Sequence, residues 1–169
     1  MNDNVKKLTL AGLLIALGVA CSTFSFPVGA SRCSPVQHMV NVLAAVLLGP
    51  AYGVGMAFVT SLLRIALGTG TLLAFPGSMV GALLCGLAYR FTKSLLATFA
   101  GEIIGTGILG AILAYPIAAF VLGKESAIFA FVIPFLVSSV GGALIALLIL
   151  GALSKTGVLR QLPSAQAGK

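Results

Sequence analysis

Residues 127–153 have the sequence AIFAFVIPFLVSSVGGALIALLILGAL, which contains no charged side chain. About 20 such residues are enough for a helix to cross the hydrocarbon core of a bilayer. The run also far exceeds the ~10 alternating residues of a strand in an outer-membrane barrel. A helix satisfies its own backbone hydrogen bonds within lipid. The run therefore predicts a membrane-spanning helix and favours an all-α integral membrane protein over a barrel.

The whole chain has the composition of such a protein. Of its 169 residues, 59% are hydrophobic and only 8% are charged, whereas about 25% of the residues of a typical soluble domain are charged. So few charged side chains could not cover the surface of a soluble fold of this length. We expect one transmembrane domain over residues 1–169, without a separate soluble domain.

Five further apolar runs precede this one, so the sequence predicts a bundle of six transmembrane helices. The spans cover about residues 8–26, 38–49, 51–67, 78–90, 94–115 and 127–153. The turns at 49–52 and 90–93 are tight, whereas the segments 27–37, 68–77 and 116–126 are longer and contain Pro and Gly. Because the second run is short for a span, it could instead be re-entrant, which would put the two termini on opposite sides.

The ten basic residues give a formal net charge of +7, but they lie at the ends of apolar runs and form no patch for a nucleic acid. Most of them fall at the termini and the tight turns, and fewer fall on the opposite side. The larger group is Lys6, Lys7, Arg90, Lys93, Lys155, Arg160 and Lys169, and the smaller is Arg32, Arg64 and Lys124. Since basic residues are enriched in cytoplasmic loops, we expect a multi-pass protein of the cell membrane with both termini in the cytoplasm and the three longer segments outside.

Four polar side chains within the predicted spans indicate a pocket towards the outer surface: His38, Asn41, Arg64 and Glu102. Such groups are costly in lipid, so each needs a partner or a function. His38 and Asn41 are three residues apart and share one helix face. Glu102 is expected about 12 Å into its helix, close to the middle of the membrane. Together these residues favour a binding pocket below the longer loops.

Structural roles are open for the same residues. Arg64 could extend its guanidinium to the membrane surface, or it could form an ion pair with Glu102. Asn41 could bond to a neighbouring helix, and His38 could cap the start of its helix at the interface.

No enzyme motif withstands inspection. Residues 105–110 match the letters of the dinucleotide-binding fingerprint, but they lie in an apolar helix with no strand before them. A packing stripe of small residues explains them better. There is no phosphate-binding loop, and the single His and few acids predict no metal site, no cofactor and no catalytic residue. Cys21, Cys33 and Cys85 lack a paired spacing, so we expect three thiols and no disulfide.

The first predicted helix carries small residues at every fourth position, Gly12, Ala16 and Ala20. Such a stripe allows a second helix to approach closely. It could serve packing within the chain, or it could be a docking face for another membrane protein.

Several longer motifs are distributed along the chain. They are PVGASRCSPVQH at 27–38 followed by Asn41, LGPAYG at 48–53, SLLR at 61–64, GTGTLLAFPGS at 68–78, GEIIGTG at 101–107 and YP at 115–116. Over about residues 8–150, these motifs resemble the ThiW family. Members of that family are substrate-binding S-components of energy-coupling factor (ECF) transporters, assigned to uptake of hydroxyethylthiazole, the thiazole precursor of thiamine.

The resemblance implies a six-helix bundle with a pocket on the extracellular side, closed by loops. It also implies two kinds of protein partner, a transmembrane coupling protein and two cytoplasmic ATPase subunits, with Gly12, Ala16 and Ala20 as the docking face. The candidate substrate-binding residues are His38, Asn41, Arg64, Phe75, Glu102, Tyr115, Gln37 and Arg32.

Hydroxyethylthiazole is a small neutral aromatic with one ring-nitrogen acceptor and one hydroxyl. A pocket for it needs an apolar slot and a few polar groups. Phe75 or Tyr115 could stack on the ring, unless they are interface anchors. His38 or Asn41 could donate a hydrogen bond, and Glu102 could accept one.

Alternative functions remain open at this point. Arg32 and Arg64 exceed what a neutral ligand needs and leave room for a phosphorylated or carboxylated substrate. Thiamine or its pyrimidine precursor are other possible ligands, and a membrane assembly subunit without a ligand is a different class. An ion-coupled transporter would predict inverted repeats, which the sequence does not display.

Overall fold

The computed structural model describes residues 2–29, 31–123, 125 and 127–156, and these residues are mostly helical. The helices are α1 (Asp3–Ala20), α2 (Pro35–Leu47), α3 (Pro50–Ala66), α4 (Ala74–Thr92), α5 (Leu95–Val121) and α6 (Val132–Lys155). A 3₁₀ turn covers Cys21–Thr23, and β1 (Phe26–Val28) pairs antiparallel with β2 (Ser31–Cys33). Three residues used to predict the orientation, Lys124, Arg160 and Lys169, lie outside the described residues.

Four of these helices are long and apolar enough to cross a membrane, judged by length and composition: α1 with its 3₁₀ turn, α4, α5 and α6. α2 and α3 are shorter, with 13 and 17 residues. A helix of 13 residues is about 20 Å long, less than the ~30 Å of a hydrocarbon core. The chain is therefore a multi-pass helical membrane protein, and a count of six spans stays a prediction.

The first predicted span, 8–26, is wrong at its end. α1 stops at Ala20, and the chain continues through the 3₁₀ turn into the β1–β2 hairpin. Gly29 lies in the hairpin turn with φ of 54°, a conformation that glycine adopts without steric cost. The hydroxyl of Ser22 donates to Thr69 Oγ1 at 2.9 Å, which ties the end of α1 to the loop between α3 and α4.

The predicted loop 116–126 is wrong in its first part, because α5 continues through Pro116 to Val121. A proline within a helix removes one backbone hydrogen bond. Here a π-helical turn, Ile117–Val121, follows it directly. Such local adjustments satisfy the freed backbone groups and let membrane helices keep an internal proline.

Two other predicted boundaries also shift. α4 begins at Ala74 rather than at 78, so Phe75 lies in its first turn and not in a loop. α6 begins at Val132, later than the predicted 127, and ends at Lys155.

α2 is the central helix of the bundle. It packs against α3, α4 and α6, and every residue from Gln37 to Leu47 is buried. α1 packs against α3 and α2, and α5 against α4 and α6. Because successive helices alternate in direction, the described chain starts and ends at the same end of the bundle, opposite the N-terminus of α2.

Candidate binding cleft

A cleft opens at the end of the bundle where α2, α4 and α6 begin and α3 ends. It holds about 500 Å³ of empty space, its open mouth included. The described residues that line it are Ser31, Arg32, Ser34, Gln37, His38, Arg64, Thr69, Gly70, Thr71, Ala74, Gly77, Ser78, Phe135 and Ser138. Most of these side chains are polar, although the helices that carry them are strongly apolar.

Arg64 lies in the last turn of α3, and its side chain turns into the bundle. It is only 4% exposed. One terminal nitrogen donates to Gln37 Oε1, and the other donates to Ser34 Oγ at 2.5 Å. Nε has no hydrogen-bond partner among the described residues. The interpretation that Arg64 extends to the membrane surface is therefore wrong.

Glu102 does not pair with Arg64 either. It is 0% exposed, and its Oε1 accepts hydrogen bonds from His38 Nδ1 at 2.8 Å, Thr106 Oγ1 at 2.9 Å and Asn41 Nδ2 at 3.3 Å. Its Oε2 has no partner within the described part of the chain. A buried charge needs such hydrogen bonds to offset the loss of hydration.

The bond to Glu102 sets the chemistry of His38. In a neutral imidazole, a carboxylate accepting at Nδ1 places the proton on that nitrogen. Nε2 is then a hydrogen-bond acceptor, and no described protein group bonds to it. His38 lines the cleft and is 8% exposed. The imidazole therefore connects the cleft with the buried carboxyl behind it.

A second set of hydrogen bonds joins α2, α3 and α4. Gln37 Nε2 donates to Ser61 Oγ at 3.0 Å, and the Ser61 and Ser78 hydroxyls are 3.0 Å apart. Ser78 also donates to the carbonyl of Ala74 at 2.7 Å. Since Gln37 accepts from Arg64, the guanidinium belongs to the same network, which holds it in place at the cleft wall.

Two glycines make room for the buried cluster. A Cβ at Gly81 would lie 2.9 Å from Glu102 Oε2 and would collide with Thr106 Oγ1. A Cβ at Gly142 would lie 2.7 Å from the Cβ of His38. α4 can therefore approach the carboxyl of Glu102, and α6 can approach the start of α2, only because these positions lack side chains.

The β1–β2 hairpin forms part of the mouth and is bonded to α6. Cys33 Sγ donates to the carbonyl of Pro134 at 3.1 Å, and Ser34 N donates to Ser138 Oγ at 2.8 Å. Burial raises the pKa of the Cys33 thiol, so the thiol keeps the proton that it donates. Arg32 is exposed at the mouth and bonds to the carbonyl of Ser25 at 3.4 Å.

The structure brings most of the predicted site residues together. Arg32, Gln37, His38 and Arg64 line the cleft, and Asn41 and Glu102 lie directly behind it. Asn41 bonds to Glu102 and to the carbonyl of Ser78, so its predicted helix-to-helix bonding is also present.

The two predicted aromatic residues are not part of the cleft wall. Phe75 packs against Phe58, with ring centroids 5.4 Å apart, and neither Phe75 nor Tyr115 is among the described residues that line the cleft. The aromatic residue that lines it is Phe135 on α6, which is 7% exposed. Phe135 stands in a run of apolar residues, so only its place in the fold distinguishes it.

Gly12, Ala16 and Ala20 all lie on the exposed side of α1. A Cβ at Gly12 would meet nothing within 4 Å among the described residues. The residues of α1 that are buried in the bundle are instead Ala11, Leu14 and Gly18. The interpretation of the small-residue stripe as packing within the chain is therefore wrong.

Comparison with known proteins identifies one family. Residues 8–156 match the family model described as thiamine-precursor transporter protein (ThiW). Searches of curated proteins and of solved structures returned no match.

Proposed function

Because the chain belongs to the ThiW family of thiamine-precursor transporters, we propose that it is the substrate-binding subunit of an ECF-type ABC importer. A member of this family is a component of a transporter and not an enzyme. The proposed substrate is hydroxyethylthiazole, captured from outside the cell. A coupling protein and two cytoplasmic ATPases would then drive its delivery across the membrane. The cleft is the proposed binding site, and both termini are proposed to be cytoplasmic.

The observation that carries this proposal is the contact between His38 and Glu102 at the base of a polar cleft. A structural helix bundle has no need of a histidine held by a fully buried carboxylate, because intramembrane ionisable groups are costly and are usually retained for function. The arrangement gives the cleft a fixed acceptor at His38 Nε2 and a nearby fixed donor at Arg64.

The polar groups at the cleft match those of the proposed ligand. Hydroxyethylthiazole offers a hydroxyl donor, which fits His38 Nε2, and a ring-nitrogen acceptor, which fits the guanidinium of Arg64 at the cleft wall. The thiazole ring would pack against Phe135. Placed polar groups of this kind fix the orientation of a ligand in its pocket.

Arg32 and Arg64 keep a second ligand class open. Both line the cleft, and guanidinium groups bind phosphate and carboxylate oxygens strongly. A phosphorylated thiazole would make use of both cations. Thiamine carries a fixed positive charge, which the two arginines would repel, and Glu102 is the one acidic side chain that the described residues bring to this cluster. Thiamine and its pyrimidine precursor are therefore the weaker alternatives.

A ligand-free assembly subunit is the alternative from another class. It would need the polar cleft for stability alone, yet Arg64 Nε and Glu102 Oε2 remain buried without a described partner. Leaving such groups unsatisfied destabilises the fold by about 1–3 kcal/mol each, so stability alone does not explain the cluster.

The proposal is tested by mass spectrometry of the purified protein, followed by thermal-shift and calorimetric titration. The ligands are hydroxyethylthiazole, its phosphate, thiamine and the pyrimidine precursor. We expect the thiazole or its phosphate to stabilise the protein. His38→Asn should weaken binding by about 5- to 150-fold, because losing a buried hydrogen bond costs about 1–3 kcal/mol.

Tyr115→Phe is the matched control, since Tyr115 lies outside the described cleft wall. This variant should bind the ligand with the affinity of the wild type. Stabilisation by none of the four compounds would refute the uptake function and favour an assembly role. Equal losses in both variants would show that the cleft is not the binding site.

A further inference from the structure

A second recess lies at the opposite end of the bundle, beneath the C-terminus of α2. It holds about 670 Å³ of empty space, its open mouth included. Its rim carries Lys7 of α1 together with Arg90 and Lys93 at the end of α4. The predicted pocket and its loops do not involve this face, and nothing in the proposed substrate binding uses it.

The recess exists because α2 is short. α2 ends at Leu47, whereas its neighbour α4 continues to Thr92, so the space over the end of α2 is not filled. α3 begins beside the recess and touches α4 there: Gly86 lies against Pro50, and a Cβ at Gly86 would stand 2.6 Å from Pro50 Cα. The floor is consequently apolar and consists of Ala45, Val46 and Leu48.

The positive charge at this recess is uncompensated among the described residues. Among the described residues that line it, Lys7, Arg90 and Lys93 are basic and none is acidic. The neighbouring Asp3 pairs with Lys6 instead, at 3.6 Å. The N-terminus of α3 at Pro50 also borders the recess, and the aligned peptide dipoles of a helix add partial positive charge there.

We propose that this recess binds the headgroup of an anionic phospholipid. The basic rim would hold the phosphate, and the apolar floor would contact the first segment of an acyl chain. Basic side chains that merely follow the positive-inside pattern are solvated at the membrane surface. Here they surround a cavity with an apolar base, an arrangement that matches a charged amphiphile. Basic pockets between membrane helices bind such headgroups on the cytoplasmic side, which is the side that the charge distribution predicts for this end.

The test uses the full chain, purified in detergent and titrated with phosphatidylglycerol or phosphatidylcholine of equal acyl chains, with bound lipid counted by native mass spectrometry. We expect preference for phosphatidylglycerol. The double variant Lys7→Gln/Arg90→Gln should weaken that binding roughly 25-fold, because each basic group at an anionic surface contributes about fivefold in affinity. Lys7→Arg/Arg90→Lys should retain it.

Lys6→Gln/Lys155→Gln is the matched control, with the same loss of charge and with neither residue among those that line the recess. It should bind phosphatidylglycerol as the wild type does. Equal weakening in both double variants would show that general surface charge, and not the recess, attracts the lipid. If inorganic phosphate bound as tightly as the lipid, the acyl chain would contribute nothing and the ligand would not be an amphiphile. A recess variant that keeps its lipid but loses a copurifying membrane protein would show that a protein partner occupies the recess.

Discussion

Glu102 is the residue at which buried hydrogen bonds from two helices, α2 and α5, meet. Its carboxylate receives bonds from His38 and Asn41 on α2 and from Thr106 one turn further along α5. Glu102 is not among the described residues that line the cleft, so its influence on a ligand would pass through His38. In the proposed site Glu102 is accordingly a positioning residue, and the imidazole is the group that would meet the substrate.

Glu102→Gln should weaken binding of the thiazole ligand about tenfold or more while the protein stays folded. The amide preserves the side-chain volume but presents a weaker acceptor to His38, and hydrogen bonds to charged groups contribute about 1.5–3 kcal/mol. Calorimetric titration measures the affinity, and thermal unfolding without ligand measures the stability. A variant that unfolds readily yet binds normally would show that Glu102 serves the fold alone.

The sequence revealed those site residues whose side chains are strongly unfavourable in lipid, but not those whose side chains are common in membrane helices. His38, Asn41, Arg64 and Glu102 stand out because each is expensive in lipid. Ser61 and Ser78 complete the same network, but serine is common at helix contacts in membranes and carries no comparable signal. Phe75 was predicted to stack on the ligand, whereas it lies in the first turn of α4 and packs against Phe58.

The contact between α4 and α5 depends on glycines at unequal spacing. On α4 they are Gly77 and Gly81, four residues apart, whereas on α5 they are Gly105 and Gly110, five apart. Residues 103–110 of α5 are π-helical, and a π-turn closes on the fifth residue. The wider turn therefore brings Gly105 against Gly81 and Gly110 against Gly77, which an ordinary α-helix would not do.

Gly110→Ala should lower the stability of the purified protein by about 1–3 kcal/mol, the usual effect of overpacking. A Cβ at this position would stand 2.6 Å from Gly77 Cα, and neither backbone can withdraw easily. Thermal unfolding in detergent measures the loss as a lower melting temperature.

Gly55→Ala is the control for that experiment, because Gly55 also lies within a helix and a Cβ there would meet no described residue within 4 Å. It should leave stability unchanged or raise it by up to about 1 kcal/mol, since alanine has less freedom to lose on folding. Equal behaviour of the two variants would contradict close packing at the π-turn.

The π-turns were the part of the secondary structure that the sequence could not supply. The packing role of residues 105–110 was predicted and is confirmed, since Gly107 also packs against Leu136 of α6. The π-helical geometry of these residues was not predicted. In a uniformly apolar run, no pattern of polar and apolar residues distinguishes a π-helix from an α-helix. The hairpin was missed for a related reason: 26–33 is too short to display a strand period.

In the molecule as a whole, the cleft and the small-residue stripe of α1 are two separate surfaces. The cleft faces one end of the bundle, whereas Gly12, Ala16 and Ala20 face outward along its flank. Close helix contact in lipid needs such small residues. We therefore expect substitutions on the proposed docking face of α1 to leave binding in the proposed cleft unchanged.

Ala16→Leu should abolish copurification with the coupling subunit and leave thiazole affinity unchanged. The larger side chain would hold a partner helix away from α1 without reaching the cleft. Ala100→Leu is the matched control, since Ala100 is also exposed on a membrane helix, α5. Copurification that survives in the Ala16 variant, or fails equally in both, would contradict the docking face.

The orientation predicted from charge is tested by labelling in intact cells, in a background with Cys21, Cys33 and Cys85 replaced by alanine. Thr71→Cys at the mouth of the cleft should react with an impermeant maleimide. Asn2→Cys should react only after the membrane is permeabilised, because it lies at the opposite end of the bundle. The reverse result would show the opposite orientation, with the cleft facing the cytoplasm.

The short α2 also bears on how the ribosome and translocon deliver this protein to the bilayer. With 13 residues and with Gln37, His38 and Asn41 in its first half, α2 is too short and too polar to partition into lipid alone. Only Leu48 and Gly49 separate it from α3, so we expect the two helices to enter as one hairpin. α2 is surrounded only when α4 and α6 arrive. The central helix of the bundle therefore acquires its full set of neighbours only after the last helix has been synthesised.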